Sequence, residues 1–199
     1  SFLVPRPSYP LFEPLAALEA VRLAPYPLHY DGRWWLDREA LTQATTPRTR
    51  GLILVEPNNP TGSCLSPEEA AHVDALAAAR SLPLIVDEVF GDFVPDDVPR
   101  RPAWAAPGGA ALTFVMSGLS KVCGLPQLKL GWIVVAGPET ARAEALARLE
   151  WVADTFLSVG TPVQNALGSL LAARHAFQAA VTARVGANRA TLAGLAPAG

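Results

Sequence analysis

The chain has 199 residues, half of them hydrophobic and 17% charged, with a formal net charge of -2 and a pI near 5.9. This composition carries a real core and excludes disorder, and the near-neutral charge gives no reason to expect nucleic acid or an anionic membrane as a partner. No apolar run spans a bilayer, and two isolated cysteines, Cys64 and Cys123, fit no metal spacing; both read as structural residues in a reducing cytoplasm.

The chain opens on "SFLV", an apolar run that reads as a strand with no element before it. It has no basic region or cleavage site of a signal peptide. Leu11 to Glu19 reads as a helix, "AVRLAPY" as a strand, and Trp34-Trp35 in "DGRWWLD" as a hairpin or strand packing on its neighbour. Asp37 to Ala44 follows as a helix and "GLILVEP" as a strand. In "LSPEEAAHVDALAAARSLP", Ser66 caps a helix to Arg80, Pro67 takes its first position, and Glu68 and Glu69 fill the acidic first turn. "LPLIVDEV" is the next strand, and Val94 to Gly109 is a Pro-rich loop in which Arg100 and Arg101 read as solvated charge. "LTFVMS" and "GWIVVAG" are strands, and Pro138 to Leu149 is a helix. From about residue 155 the pattern is helical nearly to the end.

Strands alternating with helices predict an α/β fold with three αβα layers and a mostly parallel sheet. The strand runs are apolar throughout, as strands covered on both faces should be. A boundary is expected near residue 154, with 1–154 forming one large domain and 155–199 a helical segment leading toward a second, truncated one. The strand at the start and the helix at the end read as cut, so a piece of a longer protein is expected.

In open α/β sheets, sites form at the carboxyl ends of strands. "EPNNPTG" follows "GLILV", "DEVFGDF" follows "LPLIV", and "SGLSK" follows "LTFVM". Each cluster alone has a plain reading: Asn, Pro and Gly are turn residues, and a strand-end Asp is often a cap. Lysine is scarce here. Lys121 and Lys129 are the only two among 16 Lys and Arg residues. Arginine stays protonated, whereas a desolvated lysine can attack a carbonyl. Asn, Asp and Lys on three successive strand ends suit pyridoxal 5'-phosphate. The amine joins the cofactor's aldehyde, the carboxylate keeps the pyridine nitrogen protonated, and the amide donates to the phenolic oxygen.

"NNPTG", "DEVF" and "SGLSKVCGLPQLKLGW" resemble, in order and spacing, the Asn-Pro-Thr-Gly, Asp-x-x-Tyr and Ser-x-x-Lys...Arg segments of the class I/II aminotransferases of fold type I. The likeness runs from "LVPRPSYPLF" through "VGTPVQNAL". It implies a large pyridoxal-phosphate domain that acts on amino acids and 2-oxo acids and pairs as a homodimer in the cytoplasm. Lys121 is then the cofactor-bearing lysine, Asp87 the partner of the pyridine nitrogen, and Asn59 the partner of the phenolic oxygen. Tyr9 would stack on the ring and Val89 pack on its other face. An ordinary aromatic contact for Tyr9 and a plain core position for Val89 stay open.

Three positions depart from the pattern. Phe90 stands where the family has Tyr. Gly118 stands where it often has a phosphate-binding Ser, with Ser117 and Ser120 close enough to substitute. Lys129 stands for the phosphate-binding Arg, a point charge in place of a fork. His29, His72 and His175 form no triad or metal spacing and read as structural. The resemblance puts the substrate-carboxylate arginine after Gly199 and a phosphate loop before Ser1, so the isolated segment is expected not to turn over. Two alternatives share these motifs: another enzyme of this fold type such as a C-S β-lyase, and the aminotransferase-like ligand-sensing domain of a transcription regulator.

Overall fold

In the computed structural model, which describes residues 1–95, 98, 104–105 and 109–195, the apolar runs form a seven-stranded sheet. The strands are β1 (Phe2–Arg6), β2 (Leu23–Tyr30), β3 (Trp34–Leu36), β4 (Gly51–Val55), β5 (Leu84–Asp87), β6 (Thr113–Gly118) and β7 (Gly131–Ala136). Their spatial order is β3-β2-β1-β4-β5-β6-β7. The four inner pairings, from β2 to β6, are parallel. The edge strands are antiparallel: β3 folds back on β2 as a hairpin, and β7 runs against β6. The sheet is therefore mostly parallel, as expected. Arg100 and Arg101 lie outside the described residues.

The helices are α1 (Phe12–Leu18), α2 (Arg38–Ala44), α3 (Pro67–Ala79), α4 (Leu119–Val122), α5 (Glu139–Thr155) and α6 (Thr161–Leu195). Leu41 of α2 and Ala70, Val73 and Ala77 of α3 bury against Leu3, Leu52, Leu54, Leu84, Val86 and Val115. This is one face of the sheet, because alternate strand residues project the same way and register aligns Leu54 with Val86 and Val86 with Val115. Across the sheet, α5 flanks Leu112 and Phe114. The pattern after residue 155 is one 35-residue helix. It packs Val163, Leu167, Leu170 and Leu171 onto Leu119, Val122, Cys123 and Leu130. Among the described residues, no helix is long and apolar enough to cross a membrane.

Helix α3 begins as its sequence predicts. Ser66 accepts from the Glu69 amide, and Glu69 accepts from the Ser66 amide at 2.7 Å, a reciprocal cap that satisfies donors a helix start leaves orphaned. The tertiary fold adds a third contact. Glu69, only 7% exposed, also accepts from the buried Leu36 amide at 2.8 Å, which pins β3 to α3. Glu69→Ala removes the acceptor from two backbone donors at once. It is expected to cost about 2–3 kcal/mol in urea unfolding; a loss below about 1 kcal/mol contradicts this account.

Candidate active site

The register of the inner strands brings three chain segments level. Val55 aligns with Asp87, and Asp87 with Met116. Just past these positions the Glu56 amide donates to the Asp87 carbonyl at 2.8 Å, and the Glu88 amide to the Met116 carbonyl at 2.9 Å. Asn59, Asp87 and Lys121 thus leave one edge of the sheet from adjacent strands.

Asp87 ends β5 on the face opposite the buried Val86. The Val89 amide donates to its Oδ1 at 3.1 Å. Burial pushes the Asp87 carboxyl above its usual value, while the Val89 amide and the Lys121 charge pull it back. Lys121 lies in the single turn of α4 and is exposed. Its ammonium sits 5.7 Å from the centroid of the Phe90 ring, within range of a cation–π attraction. Among the described residues, Lys121 makes no ion pair with Asp87 within 4.0 Å. An amine held on an aromatic ring next to a partly desolvated carboxylate leaves both able to meet a ligand.

Asn59 sits half-buried in the turn after β4. The sequence drew attention to Asn59, but its neighbour Asn58 organises the turn. Asn58 is 5% exposed; its Nδ2 donates to Thr61 Oγ1 at 2.8 Å and to the Pro7 carbonyl at 3.2 Å. Its backbone N–H donates to Ser63, and its carbonyl accepts from Gly62. One side chain thereby ties the turn carrying Asn59 to the turn after β1 carrying Tyr9. Tyr9 is half-buried, its ring edge-on to Phe12 at 5.8 Å. The sequence motif singles out Asn59, the asparagine before the proline, whereas the role of Asn58 follows from its burial, which is a tertiary property.

The remaining candidates spread over both faces. Lys129 is exposed and left-handed (φ 52°), just before Leu130, whose carbonyl accepts from the Leu119 amide at the start of α4. Its backbone therefore stands next to the start of α4. Ser120 is half-buried beside Lys121. Ser117 alternates to the other face with Val115 and lines a cavity of about 560 Å³ with Glu56, Trp132 and Arg174. The missing serine at 118 has a steric reason. A Cβ there would lie 2.9 Å from the Leu130 carbonyl oxygen and 3.0 Å from the Gly131 Cα, so only glycine lets β6 and β7 approach. His29 leans on Trp35 at 5.0 Å and lies 3.5 Å from Asp37, and His72 shares a hydrogen bond with Thr42. No group of three or more potential metal ligands exists among the described residues.

The model of the family "Aminotransferase class I and II" matches residues 1–196. The chain belongs to this family. Among curated aminotransferases, glutamate-pyruvate aminotransferase AlaA of Escherichia coli is 30% identical over 181 residues, covering 90% of this chain and 44% of that protein. The probable N-succinyldiaminopimelate aminotransferase DapC of Mycobacterium tuberculosis is 36% identical over 194 residues, covering 96% and 47%. The solved structure of N-succinyldiaminopimelate aminotransferase from Mycobacterium tuberculosis superposes with a TM-score of 0.82 at 34% identity, over 97% of this chain and 49% of that one. Alanine aminotransferase from Pyrococcus furiosus shares the fold at a TM-score of 0.84 and 24% identity. The chain spans less than half the length of these aminotransferases.

The cofactor of this chain of the aminotransferase family is pyridoxal 5'-phosphate, and the donor set fits it. The strand ends offer an amine, a carboxylate raised by burial, an amide, and a second exposed lysine. A cationic ring nitrogen is a partner that favours the ionised form of such a carboxylate.

Glu56, at the base of the Asn59 turn, is a buried carboxyl. It is 9% exposed, and its Oε1 accepts from the Leu65 amide at 2.9 Å, closing the loop from Glu56 to Leu65. Burial pushes its carboxyl up to about 7; the Leu65 amide and the Trp104 side chain oppose this, and the charges of Glu88 and Glu69 add to it. Tyr26, on β2, faces the same carboxyl and is raised by burial and by Glu56. A carboxyl harder to ionise folded than unfolded contributes stability fully below its usual 4.5, and that contribution fades as pH rises through about 7. Between about pH 5 and pH 9 this group is expected to remove on the order of 3 kcal/mol. Urea unfolding across that range should show Glu56→Gln flattening the slope. An unchanged slope would place the titration elsewhere.

Proposed function

We propose that the protein carrying this chain is an aminotransferase that moves an amino group between an amino acid and a 2-oxo acid, with Lys121 as its catalytic amine. The observation that carries this reading is the strand register that sets Asp87 level with Met116, so that Asp87 and the α4 turn holding Lys121 leave adjacent strand ends, in a chain of the aminotransferase family. Pyridoxal phosphate, when bound, supplies an aldehyde for a lysine and a ring that accepts electrons from the substrate's α-carbon. Lys121 would anchor the aldehyde and, once displaced by the substrate amine, take the α-proton on Nζ and return it. Asp87 would keep the ring nitrogen protonated. Asn59 would donate to the phenolic oxygen, Tyr9 and Val89 would flank the ring, and Lys129 and Ser120 would serve the phosphate. Ser117 is the weakest of the set, because it stands on the opposite face. Residues 1–154 would form the cofactor domain, and 155–199 the helical link to a smaller domain; a cytoplasmic homodimer is the assembly this reading implies.

Borohydride reduction of the cofactor-loaded protein, followed by peptide mapping, is expected to fix the label on Lys121. A label on Lys129 overturns the assignment. Asp87→Ala is expected to lower turnover about a hundredfold, equivalent to about 3 kcal/mol in the barrier, with a much smaller change in cofactor affinity. Near-normal turnover would remove Asp87 from the site.

A further inference from the structure

The long helix α6 reaches both segments that carry the proposed chemistry, through two consecutive residues. Gln178 has one amide with two hydrogens. Its Nε2 donates to Asp92 Oδ2 at 2.6 Å and to the Val122 carbonyl at 3.2 Å. Asp92 belongs to the 3-10 turn Gly91–Phe93, which follows Asp87 and Phe90 directly and closes on them: the Gly91 amide donates to Glu88, and the Phe93 amide to Phe90. Val122 is the residue after Lys121 and the last of α4, so its carbonyl is one that a helix end leaves without an internal partner. Phe177 grips the same two segments. Its ring meets Phe93 edge-on at 6.3 Å. It also occupies the place a Cβ on Gly124 would need, 2.5 Å away, at a position that is left-handed as well (φ 68°). Two turns earlier on α6, the Leu170 carbonyl accepts from the Cys123 thiol at 3.6 Å.

We infer that Gln178 is a positioning residue that holds the turn after β5 and helix α4 at one spacing, and thereby sets where the Lys121 amine rests relative to Asp87. The inference rests on the active-site reading above. An amide is the side chain that fits. Leucine fills the space but donates to neither acceptor, and glutamate sets a second carboxylate against Asp92. Gln178 touches no reacting atom; it acts through the two turns it joins. The charged group it touches is Asp92 on the β5 side, and Arg174 lies one turn before it on α6.

The test uses the full-length protein and pyridoxal phosphate, with three readouts: cofactor affinity by absorbance titration, the pH midpoint of the bound cofactor's visible band, and the melting temperature. Gln178→Leu is expected to weaken cofactor binding about three- to tenfold and to move the pH midpoint by several tenths of a unit. Gln178→Glu should weaken binding at least as much. Combining Gln178→Glu with Asp92→Asn should recover part of the loss, because the amide introduced on the β5 side can donate to the carboxylate introduced on α6. This single and double variant also keep the question open to an answer if the leucine variant does not fold. A Lys121 adduct in the wild type, with affinity and midpoint unmoved in the variants and only the melting temperature lowered, overturns this inference alone. Absence of a Lys121 adduct in the wild type overturns the active-site reading and this inference with it.

Discussion

The candidate site depends on the register of three parallel strands. Val55, Asp87 and Met116 stand level on β4, β5 and β6, and the ladder continues one residue past each strand through Glu56 to Asp87 and Glu88 to Met116. A one-residue slip of β5 would exchange Asp87 with Val86, burying a carboxylate among leucines and exposing a core valine. The apolar core beneath the sheet and the polar groups at its edge therefore enforce the same pairing.

Parallel strands end in loops, and loops at a shared edge need fastening if their side chains are to meet within hydrogen-bond range. Here the fastening is done by polar side chains that reach across from one segment to another. Asn58 joins the turn after β1 to the turn after β4. Glu56 closes the base of the second turn, and Gln178 joins the turn after β5 to the helix after β6. Each holds backbone groups that would otherwise lie unsatisfied, so removing one costs more than the bond it makes. Glu69 does the same on the far side of the core for the β2–β3 hairpin.

One of the three departures from the family pattern has a steric cause. Gly118 is glycine because the β7 backbone occupies the space of its Cβ. Phe90 lacks a phenol, but its ring offers a resting place for the Lys121 ammonium. Lys129 presents a flexible point charge from a left-handed position beside the α4 turn, where the long stem lets the ammonium find an anion without a fork's fixed geometry. The structure gives no account of why a chain so rich in arginine carries lysine there.

What the sequence determined by itself was local. Each apolar run became a strand, of which β4 is buried along its whole length while β7 keeps Ile133 and Val134 exposed, and the cap of α3 was legible because its partners lie three residues apart. The motif residues Asn59, Asp87 and Lys121 could be named because each follows such a run. The strand after α1 was displaced, running Leu23–Tyr30 rather than from Ala20, since its far half is held by the hairpin with β3 and not by its own pattern. The tertiary structure alone decided the antiparallel edges, the face on which Ser117 stands, and the roles of Asn58, Glu56, Glu69 and Gln178. The partners of Glu69, Asn58 and Gln178 lie 33, 51 and 86 residues away. Burial and long-range pairing are set by which elements pack together, and a polar residue carries no local mark of the backbone group it will meet.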